Sequence, residues 1–228
     1  KALDANTTAD GNTAVGHISL SSNTTGATNT AVGESALFAN TTASNNTAVG
    51  AAALTANTTG TKNTAVGSNA ADAITTGDFN VALGSDSLTA NTTGSSNTAL
   101  GVEALKANTT ASNNVAIGKD AMIANTTGTA NVAVGAFALD ANTTGDASTA
   151  IGYGALSANT TASSNTACGH SSLNANTDGV FNVAFGKDAL LINTSGSYNS
   201  AFGSFAMDAS TGINNTAMGI QSLANNTS

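Results

Sequence analysis

The sequence predicts an all-β chain, a parallel β-solenoid (β-roll) of about 13 coils with a 17-residue repeat. Three observations carry this expectation. The glycine of a recurring NTAVG-type pentapeptide falls at Gly16, Gly33, Gly50, Gly67, Gly84, Gly101, Gly118, Gly135, Gly152, Gly169, Gly186 and Gly203, every step 17 residues, and Gly219 follows after 16. An alanine stands two residues before each of these glycines. An Asn-Thr-Thr turn separates successive pentapeptides. A period of 17 is too short for a helical-hairpin repeat and suits one coil of a solenoid.

Numbered from its first Asn, each repeat reads N-[T/V]-A-h-G-x-x-[A/S]-L-x-A-N-T-T-G-x-x, with h apolar. Places 2 to 4 form a short strand, since Thr or Val at place 2 alternates with Val, Leu, Ile, Cys, Phe or Met at place 4. Gly at place 5 permits a bend after that strand. Places 8 to 11, as in SALFA or AALTA, read as a second strand. The N-T-T-G that follows is turn chemistry, with Asn bonding local backbone and Gly allowing positive φ. Ala43, Ala111 and Ala162 replace that glycine in some coils.

Stacking places each residue about 4.8 Å from its copy, so the copies form ladders. Place 13 is Thr in all fourteen turns from Thr7 to Thr227, and place 12 is Asn except at Ile74 and Ser210. Stacked Asn side chains bond along such a ladder, which presses every coil to resemble its neighbour. Place 3 never exceeds alanine: Ala14, Ala31, Ala48, Ala65, Ala82, Ala99, Ala116, Ala133, Ala150, Ala167, Ala184, Ala201 and Ala217. Places 2 and 4 are expected to point into the coil, which leaves the alanines outside as candidates for an oligomer interface; a tight bend inside the same coil is the other reading. A 17-residue coil encloses few side chains, so a core shared between chains would add stability.

NTAVG, NVAIG (114 to 118) and STAIG (148 to 152) resemble the head repeats of trimeric autotransporter adhesins. Similar arrays with the ALxANTTG extension resemble those of bacteriophage tail-fibre and appendage proteins. The resemblance spans nearly the whole chain and implies a left-handed parallel β-roll packed three to a bundle, hence a homotrimer. The coil here is longer than the adhesin pattern, and no coiled-coil stalk or membrane anchor is recognisable.

Composition narrows the partners. Lys plus Arg is 5 against 13 Asp plus Glu, a net charge of −8, which disfavours nucleic acid and anionic membranes. No run of about 20 apolar residues is present, so no membrane insertion is expected. His17 and His170 both take place 6, nine coils and about 43 Å apart, and cannot share a metal. Cys168, at place 4, reads as a small buried hydrophobe. No Ser or Cys has a His beside it in a repeat-compatible place, and no phosphate-binding glycine fingerprint is present, so neither an enzyme nor a cofactor is expected. Asp86, Glu103 and Asp120 share place 7 in consecutive coils, a weak candidate for a divalent cation against a solvated strip eased by Lys106 and Lys119. The aromatic residues Phe181, Phe185, Tyr198, Phe202 and Phe205 gather toward the C-terminal end and read as a thicker core, with Phe137 and Phe205 the better candidates for an exposed sugar platform.

The expected product is a single repeat domain, 1–228; the sequence starts and stops inside a repeat, which favours either a segment of a longer fibrous protein or end-to-end stacking. Its expected role is a non-catalytic extracellular adhesin head or phage tail-fibre shaft, on a cell surface, virion or secreted filament, that holds or forms a surface for host glycan or matrix. A self-assembling filament or sheath subunit is the alternative. Ice binding, suggested by the Thr row of place 13, is a second alternative.

Overall fold

The structure is a computed structural model that describes residues 1–224, so Thr227 of the last turn lies outside the described residues. The chain divides into two compact units, 1–113 and 114–228. The first holds β1 (Thr13–Val15), β2 (Thr30–Val32), β3 (Thr47–Val49), β4 (Thr64–Val66), β5 (Val81–Leu83) and β6 (Thr98–Leu100). The second holds β7 (Val115–Ile117), β8 (Val132–Val134), β9 (Thr149–Ile151), β10 (Thr166–Cys168), β11 (Val183–Phe185), β12 (Ser200–Phe202) and β13 (Thr216–Met218). Within each unit every strand pairs in parallel with the next, Ala opposite Ala. The architecture is a parallel β-solenoid on the 17-residue repeat.

The strands face the opposite way from the expectation. From Ala31 to Ala201 every place-3 alanine is fully buried within its own coil: Ala31, Ala48, Ala65, Ala82 and Ala99 in the first unit, and Ala116, Ala133, Ala150, Ala167, Ala184 and Ala201 in the second, all at 0% exposure. Ala217 is also buried, and Ala14, in the first strand, is partly covered. The alanine ladder is therefore core, not an interface. Places 2 and 4 point outward: Leu83 is 40% exposed, and Val66 and Ile117 are half-buried. The cause is room. One coil must also enclose Ala or Ser at place 8, Leu at place 9 and two Asn side chains, all buried, so the strand contributes no more than a methyl group.

Places 8 to 11 form turns rather than a second strand. Three places per coil adopt left-handed backbone: place 7 (Ser35, φ 57°), place 9 (Leu37, φ 50°) and place 17 (Asn45, φ 63°). Such a residue costs roughly 1–2 kcal/mol. Burial of the leucine and coil-to-coil bonds such as Leu37 N to Ala53 O, 3.0 Å, offset it. Place 9 holds Leu, Met or Ala and never a β-branched residue, the type this conformation tolerates least.

The two conserved-pattern glycines work differently. At place 5 the backbone needs glycine for the bend, with Gly67 at φ +138°, and a Cβ there would sit 2.6 Å from the Gly84 carbonyl oxygen. The glycine of NTTG does not take positive φ; Gly60 instead leaves room for the Gly77 carbonyl oxygen and the Asn57 and Asn63 amides, 2.4, 2.6 and 3.1 Å from where its Cβ would lie.

Two asparagine ladders hold the coils together. At place 12, Asn40 Nδ2 donates to Asn23 Oδ1 (2.8 Å) and to the Ala43 carbonyl (3.0 Å), and Asn57 repeats the pattern one coil on. At place 1, Asn29 Nδ2 donates to the Ala43 carbonyl (2.8 Å), and Asn29 Oδ1 accepts the Asn46 backbone N–H (2.9 Å). Ser148 keeps the acceptor role in this second ladder, taking the Asn165 N–H at 3.3 Å. Where the first ladder breaks, at Ile74 and Ser210, Asn57 Oδ1 and Asn193 Oδ1 are buried with no hydrogen-bond partner.

Candidate interaction surface

Alternation along each strand turns the inward alanines into an outward pair of ladders at places 2 and 4. None of the residues on those two ladders is charged. The exposed members include Val15, Val49, Leu83 and Leu100 in the first unit, and Ile151, Phe185, Phe202 and Met218 in the second. Cys168 lies half-exposed on this face beside Ile151 and Phe185, not in the core. All-parallel sheets are otherwise found covered on both faces. The face pairs an apolar ladder at place 4 with a mostly threonine ladder at place 2.

The C-terminal aromatics are on the outside too. Phe185 and Phe202 stack across adjacent strands, 5.5 Å between centroids, and Phe181 and Tyr198 do the same at place 17, 5.3 Å apart. Phe181 and Tyr198 are 53% and 56% exposed, whereas Phe137 and Phe205 are half-buried, so the core is not thickened and the exposed pair is not the expected one. Lysines of the preceding coil cover three other rings: Lys62 over Phe79, Lys119 over Phe137 and Lys187 over Phe205, at 4.9, 5.5 and 5.1 Å. Each such contact contributes roughly 0.5–1 kcal/mol at an exposed site.

The polar candidates are dispersed. Asp86 and Glu103 belong to the first unit and Asp120 to the second. Asp86 accepts from Asn69 Nδ2 (3.1 Å) and Ser85 Oγ (3.0 Å), bonds that hold its carboxyl below the usual range. Glu103 pairs with Lys106 at 3.0 Å and Asp120 with Lys119 at 3.2 Å. No group of three or more His, Cys, Asp or Glu residues gathers among the described residues. His17, near Glu34 at 3.8 Å, and His170, near Asp188 at 4.0 Å and stacked on Tyr153, are both exposed. No pocket opens among the described residues, and no helix among them is long and apolar enough to cross a membrane.

The place-13 hydroxyls are tied to backbone, as in Thr24 Oγ1 to the Thr41 carbonyl (3.1 Å) and Thr58 Oγ1 to the Thr75 carbonyl (3.0 Å). Thr75, Thr92, Thr126, Thr143 and Thr177 make the same bond, which gives the row a bracing role. The Asn residues of place 12 are likewise buried from Asn23 to Asn193. What sequence reasoning missed was the outward face. Its signal was the variation in size at place 4, from Val to Phe, which a narrow interior would not allow.

No family model matches the chain, and no curated protein matches it. The class is set by the fold alone, a repeat β-solenoid with one uncharged strand face.

Proposed function

We propose that the chain is a non-catalytic structural segment of an extracellular fibre, of adhesin-head or tail-fibre-shaft type, that works by packing its strand face against copies of itself. The uncharged outward face at places 2 and 4 supports this reading most directly. A parallel sheet open on one side calls for a cover. The three strand residues of each coil span roughly 10 Å, and six rungs extend about 29 Å. The strand face of the first unit is thus a strip of about 290 Å², so a stable interface of ~800 Å² per partner would also draw on the flanking turns. A homotrimer is the assembly the adhesin resemblance implies. In such a fibre the exposed Phe181 and Tyr198 would be available to host glycan or matrix, and the buried ladders supply stiffness rather than chemistry.

An end-to-end filament or sheath is the second reading, favoured by the exposed Met218 and Ile220 at and beside β13, 77% and 76% exposed. Light scattering of the purified chain, with electron microscopy, separates the two. Discrete oligomers of fixed mass support the side-by-side fibre segment, and particles that lengthen with concentration support the filament. A monomer at every concentration rejects both.

A further inference from the structure

Two ladders of the first unit break at the same coil. Place 12 holds Asn6, Asn23, Asn40, Asn57, Asn91 and Asn108, with Ile74 between Asn57 and Asn91. Place 9 is Leu in every other coil of that unit from Leu3 to Leu105, with Ala71 between Leu54 and Leu88. Ile74 is fully buried and returns part of the lost apolar volume, but its side chain neither donates nor accepts a hydrogen bond. Asn57 Oδ1 is therefore buried without a partner. Asn91 Nδ2 keeps its bond to the Gly94 carbonyl (2.9 Å) and has no asparagine to reach in the coil before. Two more buried oxygens without a partner, Asp72 Oδ1 and Thr89 Oγ1, stand at place 10 of coils 63–79 and 80–96. The three orphaned atoms thus fall within residues 57–89. The ladder is bonded again on either side, Asn40 Nδ2 to Asn23 Oδ1 at 2.8 Å and Asn108 Nδ2 to Asn91 Oδ1 at 3.0 Å.

What still crosses this coil is backbone and the place-1 ladder. Thr58 N–H donates to the Thr75 carbonyl (3.0 Å), Thr64 N–H to the Asn80 carbonyl (2.8 Å), and Asn63 Oδ1 accepts the Asn80 N–H (2.8 Å). Coils of a solenoid contact only their neighbours, so stability is a sum of coil and interface terms and opening begins where those terms are smallest. We infer that the coil 63–79 is a yielding joint built into the first unit, which opens before the coils on either side and recloses in register on the place-1 asparagines. An opened coil of 17 residues spans up to roughly 58 Å at ~3.4 Å per residue, against about 4.8 Å when stacked. A rod under tension thus lengthens at one coil instead of unravelling from an end. The joint is internal to one chain and does not depend on copies associating.

Native-state hydrogen exchange of the full chain, read at matched amides, locates the joint. Thr30, Thr64 and Val81 each donate at 2.8 Å to the place-1 carbonyl of the next coil, Asn46, Asn80 and Asn97. Thr64 should exchange roughly tenfold or more faster than Thr30 and Val81, a minimum of protection inside the unit rather than a gradient from its end. Ala71→Leu combined with Ile74→Asn restores both ladders and should bring Thr64 level with Val81. Asn40→Ala makes a second break and should raise the rate at Thr30 by a similar factor. A wild-type Thr64 that exchanges no faster than Thr30 and Val81 overturns the joint. So does a minimum that survives the double variant, or an Asn40→Ala chain whose Thr30 rate is unchanged.

Discussion

Removing one rung of the place-12 ladder should be far more damaging than the size of the side chain suggests. Asn40→Ala deletes three buried bonds: Asn40 Nδ2 to Asn23 Oδ1, Asn40 Nδ2 to the Ala43 carbonyl, and Asn57 Nδ2 to Asn40 Oδ1, at 2.8, 3.0 and 3.0 Å. The Ala43 carbonyl still accepts from Asn29, and Asn57 still donates to the Gly60 carbonyl. Asn23 Oδ1 loses the donor that satisfies it. An orphaned buried acceptor costs about 1–3 kcal/mol and each of the two further lost bonds about 1, a total of about 3–5 kcal/mol. For a chain of this size that lowers Tm by roughly 6–20 °C. The reverse change occurs naturally at Ile74, opposite the unpartnered Asn57 Oδ1. Ile74→Asn restores about three bonds, about 3 kcal/mol, against roughly 2–3 kcal/mol of lost apolar burial. Ala71 stands where most coils have Leu, so Ala71→Leu combined with Ile74→Asn should recover the lost volume as well. Thermal melts followed by circular dichroism measure all three. The reasoning is refuted if Asn40→Ala melts within about 2 °C of wild type, or if the double variant at 71 and 74 loses more than about 3 kcal/mol.

Other consequences are as direct. Gly67→Ala should prevent folding or cost more than about 3 kcal/mol, because it combines φ +138° with a Cβ 2.6 Å from the Gly84 carbonyl oxygen; Gly60→Ala brings a Cβ 2.4 Å from the Gly77 carbonyl oxygen without the positive φ, so it should cost less than Gly67→Ala, and denaturant titration ranks them. Ala99→Arg, at a fully buried site, should abolish the coil itself, whereas Val49→Asp on the outward face should leave the circular dichroism spectrum intact and reduce the assembled mass. Asp72 is partly buried, with Oδ1 lacking a hydrogen-bond partner, and burial raises its pKa above 3.8. The folded state then binds the proton more tightly than the unfolded state, so stability falls as pH rises upward from 3.8. Asp72→Asn should therefore raise Tm at pH 7, and the gain should shrink toward pH 3; a gain independent of pH would contradict the assignment.

Much of the fold was legible from periodicity. Stacking on a strict 17-residue step fixes which residues are neighbours, so the strand at places 2 to 4, the bend at Gly67 and its copies, and the bonded Asn ladder of place 12 all follow. The direction of the strand did not follow. An alanine such as Ala99 is confined equally by a narrow interior or by a neighbouring chain, and period-2 alternation has the same form either way. The variation from Val15 to Phe202 decides it, because a coil sharing its interior with two Asn and one Leu has no room for phenylalanine. The turn at places 8 to 11 was hidden for a different reason. Leucine at place 9 suggests a strand by propensity, yet coil closure holds Leu37 at φ 50° and burial compensates. The outward face and its aromatic residues were misplaced for the same reason as the alanines.

Thiol reactivity on neighbouring strand residues tests orientation and self-association together. In a Cys168→Ser background, Ala48→Cys and Val49→Cys differ by one residue and by opposite faces of β3. Maleimide labelling rates are measured across a dilution series. Ala48→Cys should stay protected at every concentration until the chain unfolds, and Val49→Cys should be protected when concentrated and reactive when dilute. A Val49→Cys thiol that stays protected at high dilution, or that reacts freely at every concentration, would contradict an outward, self-associating strand face.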